Sequence, residues 1–346
     1  MRPEGVMSDA PMNPVRTGPS GREIAASRLP SDAAPTRVVI DCDTGVDDTM
    51  AVFYGLLAPR IEVVGLSCVW GNIGVDLTTT NTLRLLELLD RPNIPVAKGA
   101  DKPLVYPKWP PRQGVHGEDG QGNTNLPPPT LQPAQESAAE LIVKLAHQYP
   151  GELTLVPTGP LTNVATAVLA DPGIAKLYKE VVLMGGAFLV PGNAARWGEA
   201  NIWHDPEAAQ VVFDAGWPVT AVGLDVTDKT MLPASVFDRL RESGTVAGVH
   251  MHRIVQFYLD VYGSRRGRRE CAMHDALTLG VAADRSLVLE SRKVRVDVDL
   301  TGTHTRGMTV GDFRPWVQHD DANVTVVLEV DRQRFIDRWT ETLSRP

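Results

Sequence analysis

Four aspartates fall within eight positions of one short stretch, Ile-Asp-Cys-Asp-Thr-Gly-Val-Asp-Asp from Ile40 to Asp48: Asp41, Asp43, Asp47 and Asp48. Carboxylates this close repel one another unless a cation or shared protons relieve them. A metal ion is the simplest relief, and oxygen donors without a neighbouring Cys or His pair suit Ca2+ or Mg2+ better than zinc. The plainer reading gives Asp47 and Asp48 to the N-terminus of a following helix and Asp41 to a distant Arg. Capping of that kind accounts for one or two acids, not for four.

Three acid- or glycine-bearing motifs can be held against the string letter by letter. An EF-hand counted from Asp41 or Asp43 puts Val46 or Asp48 at the turn glycine and Val52 or Tyr54 at the bidentate glutamate, so it fails. A dinucleotide fingerprint fails because no GxGxxG follows the first apolar run. The nucleophile and acid of haloacid-dehalogenase phosphatases form a DxD that Asp41 and Asp43 match, but that reading leaves Asp47 and Asp48 without a task.

Elements must deliver these acids to one place. From Thr36 the chain alternates short Val- and Ile-rich runs with helix-like stretches: RVVIDC then DDTMAVFYGLLA, IEVVGLSCV then DLTTTNTLRLLELLD, ELTLVPT then LTNVATAVLA, VVLMGGA then PEAAQVVFDAG, and WPVTAVGLDV. Continuous apolar strands between amphipathic helices predict an α/β fold with a mostly parallel, Rossmann-like central sheet and flanking helices. Ligands in such sheets sit beyond the carboxyl ends of the strands, where Asp41, Asp43, Asp47 and Asp48 are expected after the first strand and Asn72, Thr158 and Met184 after three others. SGTVAGVHMHRIVQFYLDVYG predicts a long helix, GSRRGRRE an exposed loop that could also close as a lid, and HDALTLGVAA another helix. RKVRVDVDLTG and NVTVVLEV predict antiparallel additions near the C-terminus, closed by a helix at DRQRFIDRWTETL. Residues 99 to 132, rich in Pro and Gly, exceed an ordinary connector and suit a binding loop.

Composition narrows the partners. The 346 residues carry 34 basic and 42 acidic side chains, a net charge of -8, which disfavours a nucleic-acid surface. No apolar run is long enough to span a membrane. Three scattered cysteines, Cys42, Cys68 and Cys271, fit neither a disulfide framework nor a zinc site, and a reducing cytoplasm is the natural reading. Residues 1–35 read as a disordered tail, since Glu4, Asp9, Glu23 and Asp32 are acids that transit peptides avoid. Residues 36–346 then form a single catalytic domain.

With the acids and the alternation in hand, the chain resembles the inosine-uridine preferring nucleoside hydrolases, whose signature is a strand followed by DxDxGxDD. Further strings keep the family's order: GN at Gly71 and Asn72, VHGEDG around His116, PTGPLTN from Pro157, VLMGGA from Val182, GN at Gly192 and Asn193, EAN from Glu199, DPEAA from Asp205 and HDAL from His274. Thr44 stands where many members carry Pro, and DGQGN stands where a Leu-containing version is common. The loop before Glu199 is slightly longer than in some relatives.

The resemblance implies one Ca2+ held by Asp43, Asp48, Asp275 and the backbone carbonyl of Thr158, with Asp43 as the general base that activates water. It implies ribose contacts from Asp47, Asn72, Met184, Asn193, Glu199, Asn201 and Asp275. It gives His274 the role of acid for the departing base, with His116, Tyr258 and Tyr262 as base-side candidates. The implied activity is calcium-dependent hydrolysis of purine or pyrimidine ribonucleosides of the uridine/inosine type, in a homotetramer or dimer. A dehalogenase-like phosphatase and a non-catalytic calcium or nucleoside-binding module are the alternatives, and release of ribose from an unphosphorylated nucleoside separates them.

Overall fold

The apolar runs form the strands of one eight-stranded sheet in the computed structural model, which describes residues 34–107, 114–318 and 320–345. Residues 1–33 of the expected tail lie outside the described residues. The central strand β1 (Thr36–Cys42) sends Val38, Ile40 and Cys42 into one core and Val39 into the other, as the two-residue strand period requires. β2 (Ile61–Cys68) and β3 (Val96–Lys98) continue the sheet on one side. On the other side lie β4 (Leu153–Pro157), β5 (Glu180–Met184) and β6 (Val219–Val222), then β12 (Val324–Val330) and β9 (Val288–Val294).

Every neighbouring pair is parallel except β12 with β9. The antiparallel expectation for the C-terminal strands holds for the pairing of NVTVVLEV with β9. β12 is antiparallel to β9 but parallel to β6, because a long crossover brings the chain back to the sheet in the original direction. Two small antiparallel ribbons complete the strands: β7 (Met231–Pro233) with β8 (Glu270–Ala272), and β10 (Val296–Val298) with β11 (Thr309–Gly311).

The order β3-β2-β1-β4-β5-β6 reverses direction between β1 and β4. The helix after β1, Val46–Leu57, packs into one core, and the helix after β4, Thr162–Ala170, packs into the other. Helices leaving on opposite faces open a crevice between the carboxyl ends of those two strands. That crevice receives Asp43 and Thr158.

The long helix Val246–Arg266 starts at Thr245, whose side chain accepts from Gly248 N, and stops at Gly267 with φ +73°, a hydroxyl cap at one end and a left-handed glycine at the other. The loop expected over GSRRGRRE is thus shorter, because Gly263 to Arg266 belong to the helix and only 267–269 remain between it and β8. The closing helix Arg332–Ser344 buries Phe335, Trp339 and Leu343, and Trp339 Nε1 donates to Met50 O at 3.1 Å. All three cysteines are buried and unpaired as disulfides. No described helix is long and apolar enough to cross a membrane.

Candidate active site

A cavity of about 400 Å³ opens where the strand ends predicted it, lined by Asp47, Asn72, His116, Thr158, Met184, Asn193, Glu199, Asn201, Tyr258, Tyr262, His274 and Asp275. A larger groove of about 790 Å³ lies at the opposite ends of β5, β6 and β12. Its Arg285 and Arg295 are already paired with Glu180 and Asp214, and none of the acids of the β1 turn reaches it. Convergent chemistry, not size, marks the first cavity as the site.

Asp41 lies inside β1, before the strand end that the other acids follow. It faces the same side as Val39, beneath the helix Thr162–Ala170, where it accepts from Ser67 Oγ at 2.6 Å and Asn163 Nδ2 at 2.8 Å. Burial pushes its carboxyl up to about 7. Its partners are thus Ser67 and Asn163 in place of the distant Arg expected. Fully buried and absent from the cavity wall, Asp41 cannot be the nucleophile of a dehalogenase-type phosphatase. This acid of the string belongs to the sheet interior.

Asp43 lies just past the strand end, held by Asn72. The Asn72 backbone N donates to its Oδ2 at 2.6 Å and Asn72 Nδ2 to its Oδ1 at 3.2 Å, while the same amide also reaches Asp48 Oδ2 at 3.2 Å. A Cβ on Gly71 would stand 2.0 Å from Asp43 Oδ2. Only glycine permits this approach. Asp48 accepts from Gly45 N at the start of its helix and from Thr158 Oγ1, both at 2.9 Å. Asp275 enters from far along the chain, in the first turn of the helix His274–Ala283.

Asp47, Asp48 and Asp275 bring carboxylate oxygens within 4.8 Å of one another, all three buried. Two full charges at that separation cost about 3 kcal/mol in an effective dielectric of about 20. Three such pairs, about 10 kcal/mol, rival the net stability of a whole domain. Burial first, and then the neighbouring carboxylates, raise Asp43, Asp48 and Asp275, Asp48 to about 7. An all-oxygen donor set under this strain fits a hard divalent cation. Asp43 stands against this group through Asn72 and Asp48. The Thr158 carbonyl accepts from Asn201 Nδ2 at 2.8 Å, and a carbonyl oxygen has a second lone pair to offer.

The next wall is polar, carrying Asn193, Glu199 and Asn201. Asn201 Nδ2 also reaches Met184 O at 3.1 Å, tying the ends of β4 and β5 together. The Glu199 carboxylate caps the short helix Ala200–His204, taking Asn201 N, and also takes Gly186 N at 3.0 Å; burial raises it above the usual carboxylate range. Asn193 sits at the exposed rim, accepting from Ala200 N at 2.9 Å. Trp203, which follows the EAN string, packs beside His204 and does not line the cavity.

Opposite stand four rings in contact. Tyr258 and Tyr262 lie one turn apart on the long helix, a spacing that puts them on one face. Tyr258 Oη is 3.2 Å from Asp47 Oδ2 and 3.4 Å from Tyr262 Oη. Tyr262 Oη is 2.9 Å from His274 Nε2, and His274 Nδ1 is 2.8 Å from Thr227 Oγ1. Burial lowers His274 and His116 below the ordinary imidazole value, because it penalises the charged form. His116 Nδ1 accepts from Val46 N at 3.2 Å, and its ring lies 5.1 Å from that of Tyr258. Acceptance at Nδ1 puts the imidazole proton on Nε2.

Twelve of the fourteen residues that the resemblance assigns to the site line this one cavity; Asp43 and Asp48 do not line it but are bonded to Asn72, which does, and Asp41 stays inside the sheet. Sequence reasoning missed Thr227 and Asp228, which no motif marks. Arg265 and Arg266, expected in a loop, line the cavity from the last helical turn, and Arg266 pairs with Asp228 at 2.7 Å. Helical spacing from Tyr258 and Tyr262 was the signal that could have placed them.

Comparison with known proteins agrees with this geometry. The family model for inosine-uridine preferring nucleoside hydrolases matches residues 38–337. The chain is 40% identical over 275 residues to a probable uridine nucleosidase 2 of Arabidopsis thaliana, covering 79% of this chain and 85% of that one. It is 38% identical to the inosine-uridine preferring nucleoside hydrolase of Crithidia fasciculata, covering 86% and 95% respectively. The solved structure of a plant nucleoside hydrolase superposes with a TM-score of 0.85 at 33% identity, covering 90% of this chain and 100% of that one.

Proposed function

This chain belongs to the inosine-uridine preferring nucleoside hydrolases, hydrolases of the N-glycosyl bond of ribonucleosides, and from that premise we propose how its own residues carry the reaction and which cation assists them. The cation is Ca2+, held by Asp43, Asp48, Asp275 and the Thr158 carbonyl, with Asp47 alongside. The crowding of buried, oxygen-only donors supports this. When bound, it supplies Lewis-acid activation of water and a grip on vicinal ribose hydroxyls.

Asp43, oriented by both Asn72 donors, takes a proton from water as the water oxygen bonds to C1′ and the C1′–N bond breaks. Asp47, Asn72, Asn193, Glu199 and Asn201 bond the sugar hydroxyls, and Met184 packs beneath the ring. The surrounding carboxylates favour the positive charge that grows on the sugar only in the transition state. The electron pair of the broken bond leaves with the base, which needs a proton. His274 supplies it through Tyr262, whose hydroxyl lies 2.9 Å from Nε2, while Thr227 holds the other ring nitrogen. The imidazole, kept below its ordinary value by burial, takes up a proton before cleavage, gives it to the base through Tyr262 and returns to the neutral form. Tyr258 and His116 complete the base side.

The observation that carries this reading is the convergence of Asp47 and Asp48 with Asp275, more than two hundred positions apart in sequence, on a cavity shared with His274. A reducing-sugar assay over uridine, cytidine, inosine, adenosine and guanosine tests it. Ribose release with uridine or inosine among the substrates, lost with chelator and restored by Ca2+, is expected. No release from any of the five overturns the enzymatic reading in favour of a binding module. The proposal extends to a cytoplasmic homodimer or homotetramer, which three buried free thiols and the family resemblance support.

A further inference from the structure

The loop that carries His116 belongs to neither a helix nor a strand. Gly114, Gly117, Gly120, Gly122, Asn123 and Asn125 all take positive φ, and the backbone amides of Gln121, Asn123 and Asn125 turn inward to the Asp119 carboxylate. A loop closed upon itself can rest anywhere on its neighbours unless side chains fasten it. Gln121 does so. It is 1% exposed, and its Nε2 reaches Gly45 O at 3.2 Å and Thr49 Oγ1 at 3.0 Å. Gly45 lies inside the acid turn, between Asp43 and Asp47.

The other end of the amide is fixed as well. Nε2 faces acceptors, so Oε1 must face a donor, and His250 Nε2 lies 3.4 Å from it. The neutral His250, edge-on to Phe53, therefore carries its proton on Nε2 and bonds the loop to the long helix. Gln121 thus joins three pieces: the acid turn, the helix bearing Tyr258 and Tyr262, and the loop bearing His116. The His116 ring bears directly on this junction, since a Cβ on Gly45 would stand 2.6 Å from its Nδ1.

We propose that Gln121 is a positioning residue for the base side of the reaction: it fastens the His116 loop to the acid turn, so that His116 presents Nε2–H to the nucleobase. This rests on the reading of His116 as a base-side group. Leucine at 121 would keep the bulk but lose the donor to Gly45 and the acceptor for His250.

Kinetics on two substrates test it: the better of uridine and inosine, which needs its base protonated, and nitrophenyl riboside, whose leaving group does not. Q121L is expected to lose about tenfold in kcat/KM on the nucleoside, chiefly through KM, with a much smaller loss on nitrophenyl riboside. H116A should show the same selectivity, and the double variant should lose no more than H116A alone. Equal losses on both substrates by Q121L, or additive losses in the double variant, overturn the positioning role while leaving the reading of His116 standing. A silent H116A overturns that reading and the inference with it. Q121M, which keeps chain length without either polar atom, replaces Q121L should the latter not fold, and retained turnover of nitrophenyl riboside reports an intact metal half.

Discussion

The two halves of the cavity are built from different materials. On the sugar side, Asp43, Asn72, Thr158 and Met184 sit at or just past the ends of four adjacent parallel strands, and Asp275 at the head of a buried helix. Their positions follow from the sheet register. On the base side, Tyr258, Tyr262 and Arg266 occupy the last turns of a helix, and His116 rides on a loop of positive-φ residues fastened by side chains. Strand ends tolerate little displacement, whereas helix ends and loops can vary without disturbing the sheet. Under the proposed function the comparison divides reaction from selectivity: bond cleavage would belong to the sheet, and the choice of base to what lies over it.

The sharpest way to break this division is at Asp43. Asp43→Ala should lower ribose release by about ten-thousandfold on nucleosides and on nitrophenyl riboside alike, because it removes base and cation ligand together. A loss confined to one substrate would place Asp43 on the wrong side. His274→Ala should act unequally, lowering turnover of uridine or inosine by about a hundredfold and that of nitrophenyl riboside by much less. Parallel loss on both would show that the relay through Tyr262 does not serve the leaving group.

The smallest effect concerns stability. Burial, with Arg253 and Arg84 adding to it, lowers His250 to about 4 from the ordinary 6.5. The folded chain then binds fewer protons than the unfolded chain between those values, so stability rises with pH across that window and is lost as pH falls from 6.5 towards 4. The loss attributable to this ring is at most about 3 kcal/mol. Urea unfolding across that range should give a shallower dependence of stability on pH for His250→Gln than for the unmodified chain. An unchanged dependence would mean that the ring behind the base-side loop is not held neutral.

The same division separates what is legible in the letters from what is not. The sugar half can be read early because its residues follow their strands within a few positions, and a buried parallel strand announces itself as a Val- and Ile-rich run. Even there, Asp41 and Asp43 look equivalent as a pair two apart. Only the end of β1 decides that one stays under a helix with Asn163 while the other passes into the crevice beside Asn72. On the base side, the letters end the helix before Arg265, whereas it runs on through Arg266, and nothing in the segment around Thr227 foretells its contact with His274. Gln121 is visible as a departure from a common Leu, yet its role depends on Gly45 and His250, 76 and 129 positions away.

The sequence alone determined the alternation of strands and helices, the oxygen-only chemistry of the acid turn and the family resemblance, because each rests on residues that are neighbours in the chain. Tertiary structure decided which acids meet, which ring nitrogen carries a proton and what holds the base-side loop. Those outcomes depend on distances between segments far apart in the chain, and such distances exist only once both cores have packed against the sheet.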